Sequence, residues 1–318
     1  MAMGGCDPGD DGDFSAIDDA DDIEARDLGI SCPPRQCGLN SAEVNGRSIR
    51  ELNLNGLANA DGMKIVGILS PLGLLGYQLG VENDELVARN GNSVLKGATL
   101  VGTTILVKEP GLLSLPIPIV VLGHQKIDSW ATGAPKVDTY ALVYPDLGSL
   151  LGQRNVCNGN LTDLLATTAT VLGGETYDLT KKEVNAGQNG WFTIACPGSA
   201  ADKLRMFNYG PQSNFDGAGH PASPDQRQAT LKMITADYCG GGVSYTQNGT
   251  PLQWENHAGT VYMTSQLGPV ESVWNKSGAV CLGSTRIANI PVACSTSLPS
   301  CTGHTLAEGE WITHVPPP

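Results

Sequence analysis

Charge is scarce in this 318-residue chain: Asp, Glu, Lys and Arg make up 16% of it, against about a quarter in an ordinary soluble domain. Aromatic residues contribute only 5%. So few charges exclude a coiled coil, whose flanking positions need them, and 19 Lys and Arg against 32 Asp and Glu exclude the basic face that a nucleic acid requires. The chain is also too apolar to read as disordered throughout. No long hydrophobic run exists. The most apolar stretch, residues 112–122, falls short of the ~20 residues of a bilayer-crossing helix and is broken by Pro116 and Pro118.

Glycine and proline are plentiful, at 40 and 20 residues. Between the turns they mark, residues 49–54, 63–68, 95–100, 103–107 and 140–143 alternate polar and apolar side chains, as half-buried strands do. Asn55-Gly56, Asp61-Gly62, Asn90-Gly91 and Pro110-Gly111 supply the turns. This spacing predicts an N-terminal β-sandwich or barrel domain over residues 31–146, entered through the segment SCPPRQC.

Beyond Pro145 the pattern mixes. Residues 191–196 (WFTIAC) read as a buried strand. A first helix is expected after a Ser199 cap, running through Ala200, Leu204 and Phe207. A second is expected over 225–237, with Leu231 and Ile234 facing inward and Arg227 and Lys232 facing water. The chain therefore reads as mainly β with an α+β C-terminal domain, residues 147–296, followed by a tail, 297–318, that ends in three prolines.

The net charge of −13 is unevenly spread: residues 1–30 hold ten acids and a single base, Arg26. Such a block repels itself and has little to bury, so a solvated, flexible acidic leader is expected. Met3-Gly4-Gly5-Cys6 resembles the end of a bacterial lipoprotein signal, which makes Cys6 a candidate acylation site and such an anchor the one expected membrane contact.

Eight further cysteines stand at 32, 37, 157, 196, 239, 281, 294 and 301. No CxxC and no HxxxH occurs, so a zinc site and other metal sites have no support and no cofactor is implied. Paired cysteines instead predict an exported chain in an oxidising compartment. Eight cysteines allow 105 connectivities. Pairing sequence neighbours gives Cys32–Cys37, Cys157–Cys196, Cys239–Cys281 and Cys294–Cys301.

Residues 191–196 (WFTIAC), 200–210 (AADKLRMFNYG) and 228–246 (QATLKMITADYCGGGVSYT) follow one another in an order that resembles the ADYC domain family. Val273-Trp274, the run Gly278-Ala279-Val280-Cys281 and Thr285-Arg286 fit its closing block. Cys37-Gly38-Leu39-Asn40-Ser41 and Leu54-Asn55-Gly56 resemble an N-terminal block found in one branch. The resemblance implies an exported bacterial protein, its biochemical role undefined at family level, with two short helices in a disulfide-stabilised domain. Leu204 and Thr230 stand where the family usually carries one cysteine in each helix, as after the joint loss of an interhelical bridge. Gly241 replaces a usual aspartate, and the second usual acid corresponds to Gln253 or Glu255.

Two chemical readings compete. Cys239, with Asp237 two residues before it and His220 or His257 brought near by folding, has the ingredients of a thiol hydrolase or peptidase. Against it, Cys239 is expected in a disulfide, Asp237 in a turn brace, and Gly240-Gly241-Gly242 at positive φ. Trp254, Trp274, Tyr245 and Tyr262 offer an aromatic platform for carbohydrate, or else core packing. No GxSxG or phosphate-loop signature is present. The expectation is a non-catalytic binding or structural module of the cell envelope, its ligand a carbohydrate or another envelope protein.

Overall fold

The computed structural model describes residues 35, 41–157, 164–247, 249–263 and 266–316. The acidic leader, Cys6, and the pair Cys32 and Cys37 lie outside the described residues. The fold is mainly β with two α-helices among those residues, and its sheets do not close into a barrel.

The largest sheet is antiparallel and has five strands, in the order Gln153–Asn155, Val137–Pro145, Ile117–Ile127, Thr104–Lys108 and Lys64–Leu69. Val137–Pro145 is buried along almost its whole length, where alternation had suggested one wet face. Its position inside the sheet and the core on both sides remove the period-2 exposure that an edge or one-sided strand retains. The strand expected over 95–100 stops at Lys96. Gly97 takes φ +54 and opens a short 3-10 turn, Gly97–Leu100, because a positive φ breaks the extended ladder.

A second sheet joins Thr170–Gly173, Trp191–Ala195 and Glu51–Asn53. Its first core cluster runs from Ala42 to Cys196, so hydrophobic packing and strand pairing draw on residues from both sides of position 146. Asp84 adds a polar link between them. Its carboxylate accepts from the Gly173 and Gln212 amides and from the Ser213 hydroxyl. A Cβ on Gly210 would sit 2.2 Å from Asp84 Oδ2, which accounts for glycine in the Tyr209-Gly210 turn.

The helices are α1, Ala200–Met206, and α2, Pro224–Thr235. Ser199 caps α1 by accepting from the Asp202 amide, as its sequence position suggested. Ser223 and Gln226 form a reciprocal capping box at α2, with Pro224 in the first turn. The outward orientation expected for Arg227 and Lys232 is wrong: they are 4% and 3% exposed. Helix α2 is packed against the strands Glu183–Ala186 and Val270–Asn275. Its polar side is therefore covered as well as its apolar side, and each buried cation is matched by a buried acid, Glu175 for Arg227 and Asp237 for Lys232. The last sheet orders Gln253–Asn256, Trp311–His314, Val270–Asn275 and Gly278–Ala279 beside this second core.

Candidate functional site

The ADYC turn begins where α2 ends. Ala236 adopts the left-handed conformation at φ +50 and its amide returns to the Lys232 and Met233 carbonyls, closing the helix as a left-handed cap does. Each following residue then makes a separate bond. Asp237 Oδ2 accepts from Lys232 Nζ at 2.6 Å and from the Gly242 amide at 2.8 Å. Lys232 spends its other donors on the Lys181 and Gly240 carbonyls. Tyr238 stacks on Trp274 with ring centres 5.1 Å apart and donates its hydroxyl hydrogen to Glu271.

Cys239 is bridged to Cys294, and Cys281 to Cys301, in place of the expected Cys239–Cys281 and Cys294–Cys301 pairs. The physical reason is that bridging demands Cα atoms within about 7 Å, and the fold sets that distance independently of sequence order. Cys239 faces the 286–300 segment at the exposed turn, whereas Cys281 is wholly buried beside Cys301. Cys157 does pair with Cys196. Three bridges among the described residues are bonds of an oxidising environment.

Gly240 and Gly242 close the turn at φ +72 and +91, and a Cβ at either would lie 2.1 or 2.2 Å from a backbone oxygen, of Ser277 and Thr180 respectively. Gly241 meets nothing within 4 Å. Only the outer two glycines are therefore required by close approach.

Below the turn lies a buried ion pair that the sequence reading missed. Arg286 holds Glu271 bidentately, at 2.7 Å from Nε to Oε1 and 2.9 Å from Nη2 to Oε2. Its guanidinium also donates to the Ile234 carbonyl and to the Met233 carbonyl, which it shares with the Ala236 amide, in the last turn of α2. Thr313 donates to Glu271 and accepts from the Trp274 indole. Burial pushes the Glu271 carboxyl up, but the Arg286 charge and these hydrogen bonds outweigh it and leave the carboxyl below its ordinary value. The available signal was Glu271 itself, an acid inside the strand sequence VESVWN.

The two imidazoles are engaged elsewhere. His220 is exposed and bonded to Asp216 at 2.7 Å, and that bond holds the Asp216 carboxyl down at about 2. His257 Nδ1 lies 3.3 Å from the Leu306 carbonyl. The sulfur of Cys239, already bonded to another sulfur, offers no thiolate. Trp274 is fully buried and Tyr245 nearly so, its hydroxyl accepting from the Ala293 amide, so neither ring is open to a ligand. Trp254 is partly buried, stacked on Trp130 at 6.2 Å and edge-on to Phe207.

Beside the turn is a shallow cleft of about 420 Å³, walled by Gln228, Lys232, Cys239, Gly240, Lys276 and neighbouring residues. Gln228 is bonded to the backbone of Val184 and Lys182, and Lys276 to Asp225. Among the described residues no group of three His, Cys, Asp or Glu side chains has the arrangement to hold a metal ion.

Leu204 and Thr230, at the positions where the resemblance placed cysteines, are both wholly buried on the packed helices. Thr230 Oγ1 accepts from the Trp311 indole and donates to the Gln226 carbonyl. These features define a disulfide-braced, mainly β protein in which a helix-terminating turn is locked onto a sheet. The chain belongs to the ADYC domain family, whose profile matches residues 97–288. No curated protein and no solved structure matches it.

Proposed function

We propose that this chain is an exported, non-catalytic binding or structural module of the cell envelope, displayed on its acidic leader and anchored through Cys6. The observation that carries the reading is the use of the motif's own side chains. Asp237, Tyr238 and Cys239 are committed respectively to Lys232 and Gly242, to Glu271 and Trp274, and to Cys294. A nucleophile and its base need mutual hydrogen-bond reach; here the sulfur is cross-linked and His220 is turned to Asp216. The bridges support export, since thiols rarely remain oxidised in a reducing cytosol. The ligand belongs to the envelope, as carbohydrate or protein.

Alkylation of the native, unreduced protein tests this reading. Cys239 is expected to be recovered only in a peptide linked to Cys294. A free, alkylatable Cys239 would move the weight to the competing hydrolase, with His220 or His257 as base. Labelling of cells with a fatty-acid probe checks the anchor: the parent should take up the acyl label and Cys6→Ser should not.

A further inference from the structure

Two hairpin loops at one end of the five-stranded sheet carry leucines that the core does not use. One joins Thr104–Lys108 to Ile117–Ile127 and bears Leu112, Leu113 and Leu115; the other joins Val137–Pro145 to Gln153–Asn155 and bears Leu147, Leu150 and Leu151. The pairing Val143↔Val120 puts the end of Val137–Pro145 beside the start of Ile117–Ile127, so the two loops project from the same end of the sheet as neighbours. Leu112, Leu113, Leu115, Leu147 and Leu150 are between 81% and 99% exposed. Scattered surface leucines are ordinary, but five almost fully solvated ones on adjacent tips are not.

Part of the backbone of each tip is bonded from within. Ser114 Oγ donates to the Glu109 and Gly111 carbonyls. In the second loop Asp146 accepts from the Gly148 amide through Oδ1 and from the Ser149 amide through its carbonyl, while the Gly152 amide donates to Ser149 and the Asp146 amide to Gly152.

Two lysines stand side by side at this end. Lys64 and Lys108 are direct cross-strand partners, an arrangement that repels unless something anionic lies between. Among the described residues neither ammonium has a carboxylate at ion-pair distance. The nearby acids are otherwise engaged, Glu109 with Asn45 and Asp146 with Arg154. Lys64, Lys108, Glu109 and Pro110-Gly111 line a hollow of about 270 Å³ at the foot of the first loop.

We propose that this end of the sheet is a membrane-contacting surface: the leucine tips enter the headgroup and acyl boundary of a bilayer, and Lys64 with Lys108 take the phosphates of anionic lipids. Projecting aliphatic tips fit a fluid medium that closes around them, and a flanking cation pair is the usual electrostatic partner of such insertion. The contact is independent of acylation at Cys6 and goes beyond the envelope reading above.

The test uses the full chain carrying Cys6→Ser, floated with vesicles of phosphatidylcholine containing phosphatidylglycerol. The chain should float with the vesicles. Leu112→Ser with Leu113→Ser, and separately Leu147→Ser with Leu150→Ser, should each lower partitioning by about tenfold or more. Lys64→Glu with Lys108→Glu should abolish the preference for the anionic lipid, and salt near 1 M should weaken binding by the parent, since the Debye length there is about 3 Å. Leu72→Ser with Leu75→Ser is the control. Those exposed leucines follow Lys64–Leu69 at the opposite end of the sheet, so binding should be unchanged. Absence of flotation by the parent, equal loss in the control, or a dimer dissolved by the Leu112 and Leu113 changes without vesicle binding would each overturn the proposal. None of these outcomes bears on whether Cys6 anchors the chain.

Discussion

Arg286 and Glu271 form a two-pronged buried ion pair whose cationic half also terminates α2 through the Met233 and Ile234 carbonyls. The pair thus fixes where a helix stops relative to a sheet. Removing one partner leaves an uncompensated buried charge, at a cost of about 3–5 kcal/mol, whereas replacing both by apolar residues costs much less. Glu271→Gln is expected to lower unfolding free energy by that amount near neutral pH. Glu271→Met with Arg286→Met should be milder.

The same pair sets a pH dependence. The Glu271 carboxyl lies below its ordinary value of 4.5 in the folded protein, so its stabilisation is complete above that value and is lost as pH falls through the lower, folded one. Urea unfolding across the acid range should show a steeper loss for the parent than for Glu271→Gln. Equal slopes would show that the pair does not drive the acid limb.

Lys203 is a destabilising buried cation, and its window lies on the alkaline side. Burial, reinforced by the nearby Arg286 charge, pulls its ammonium down to about 8. Between about 8 and 10.5 the unfolded chain then binds the additional proton, so this group makes stability rise with pH across that window. Lys203→Met should gain on the order of 1–3 kcal/mol at pH 7, with the gain vanishing towards pH 10.5. A gain that stays constant with pH would assign the effect to packing.

Adjacent glycines of the ADYC turn should respond differently to alanine. At Gly240 the new methyl meets the Ser277 oxygen and φ is positive; at Gly241 neither obstacle exists. Gly240→Ala is expected to destabilise by several times the ~1 kcal/mol of a strained left-handed residue alone. Gly241→Ala should lie within about 0.5 kcal/mol of the parent. Thermal unfolding of the two variants side by side decides the matter.

Peptide mapping without reduction should return Cys157–Cys196, Cys239–Cys294 and Cys281–Cys301. By loop length, losing the 239–294 cross-link should cost about 4 kcal/mol and losing 281–301 about 3, before native-state effects. A Cys239–Cys281 peptide would contradict the fold around the turn.

Much of the local structure follows from short-range chemistry in the sequence. Ser199 and Ser223 cap helices because a hydroxyl beside the first turn can accept its free amides, and Gly56, Gly62 and Gly91 turn the chain because they tolerate positive φ. The family resemblance was legible for the same reason: the ADYC motif, its glycines and the surrounding helices are contiguous in the chain. Orientation was less legible. Arg227 and Lys232 looked like a wet helix face because periodicity records which residues are apolar and not what covers the remainder.

Only the tertiary structure chose the partners. It joined Cys239 to Cys294 in preference to Cys281, set Glu271 against Arg286, and brought two leucine-bearing loops to one end of a sheet. The sequence by itself determined where elements begin and turn, since those energies reside in a few consecutive residues. Which elements meet depends on backbone paths that bring distant atoms within bonding range, and a disulfide or a buried ion pair forms only at that range.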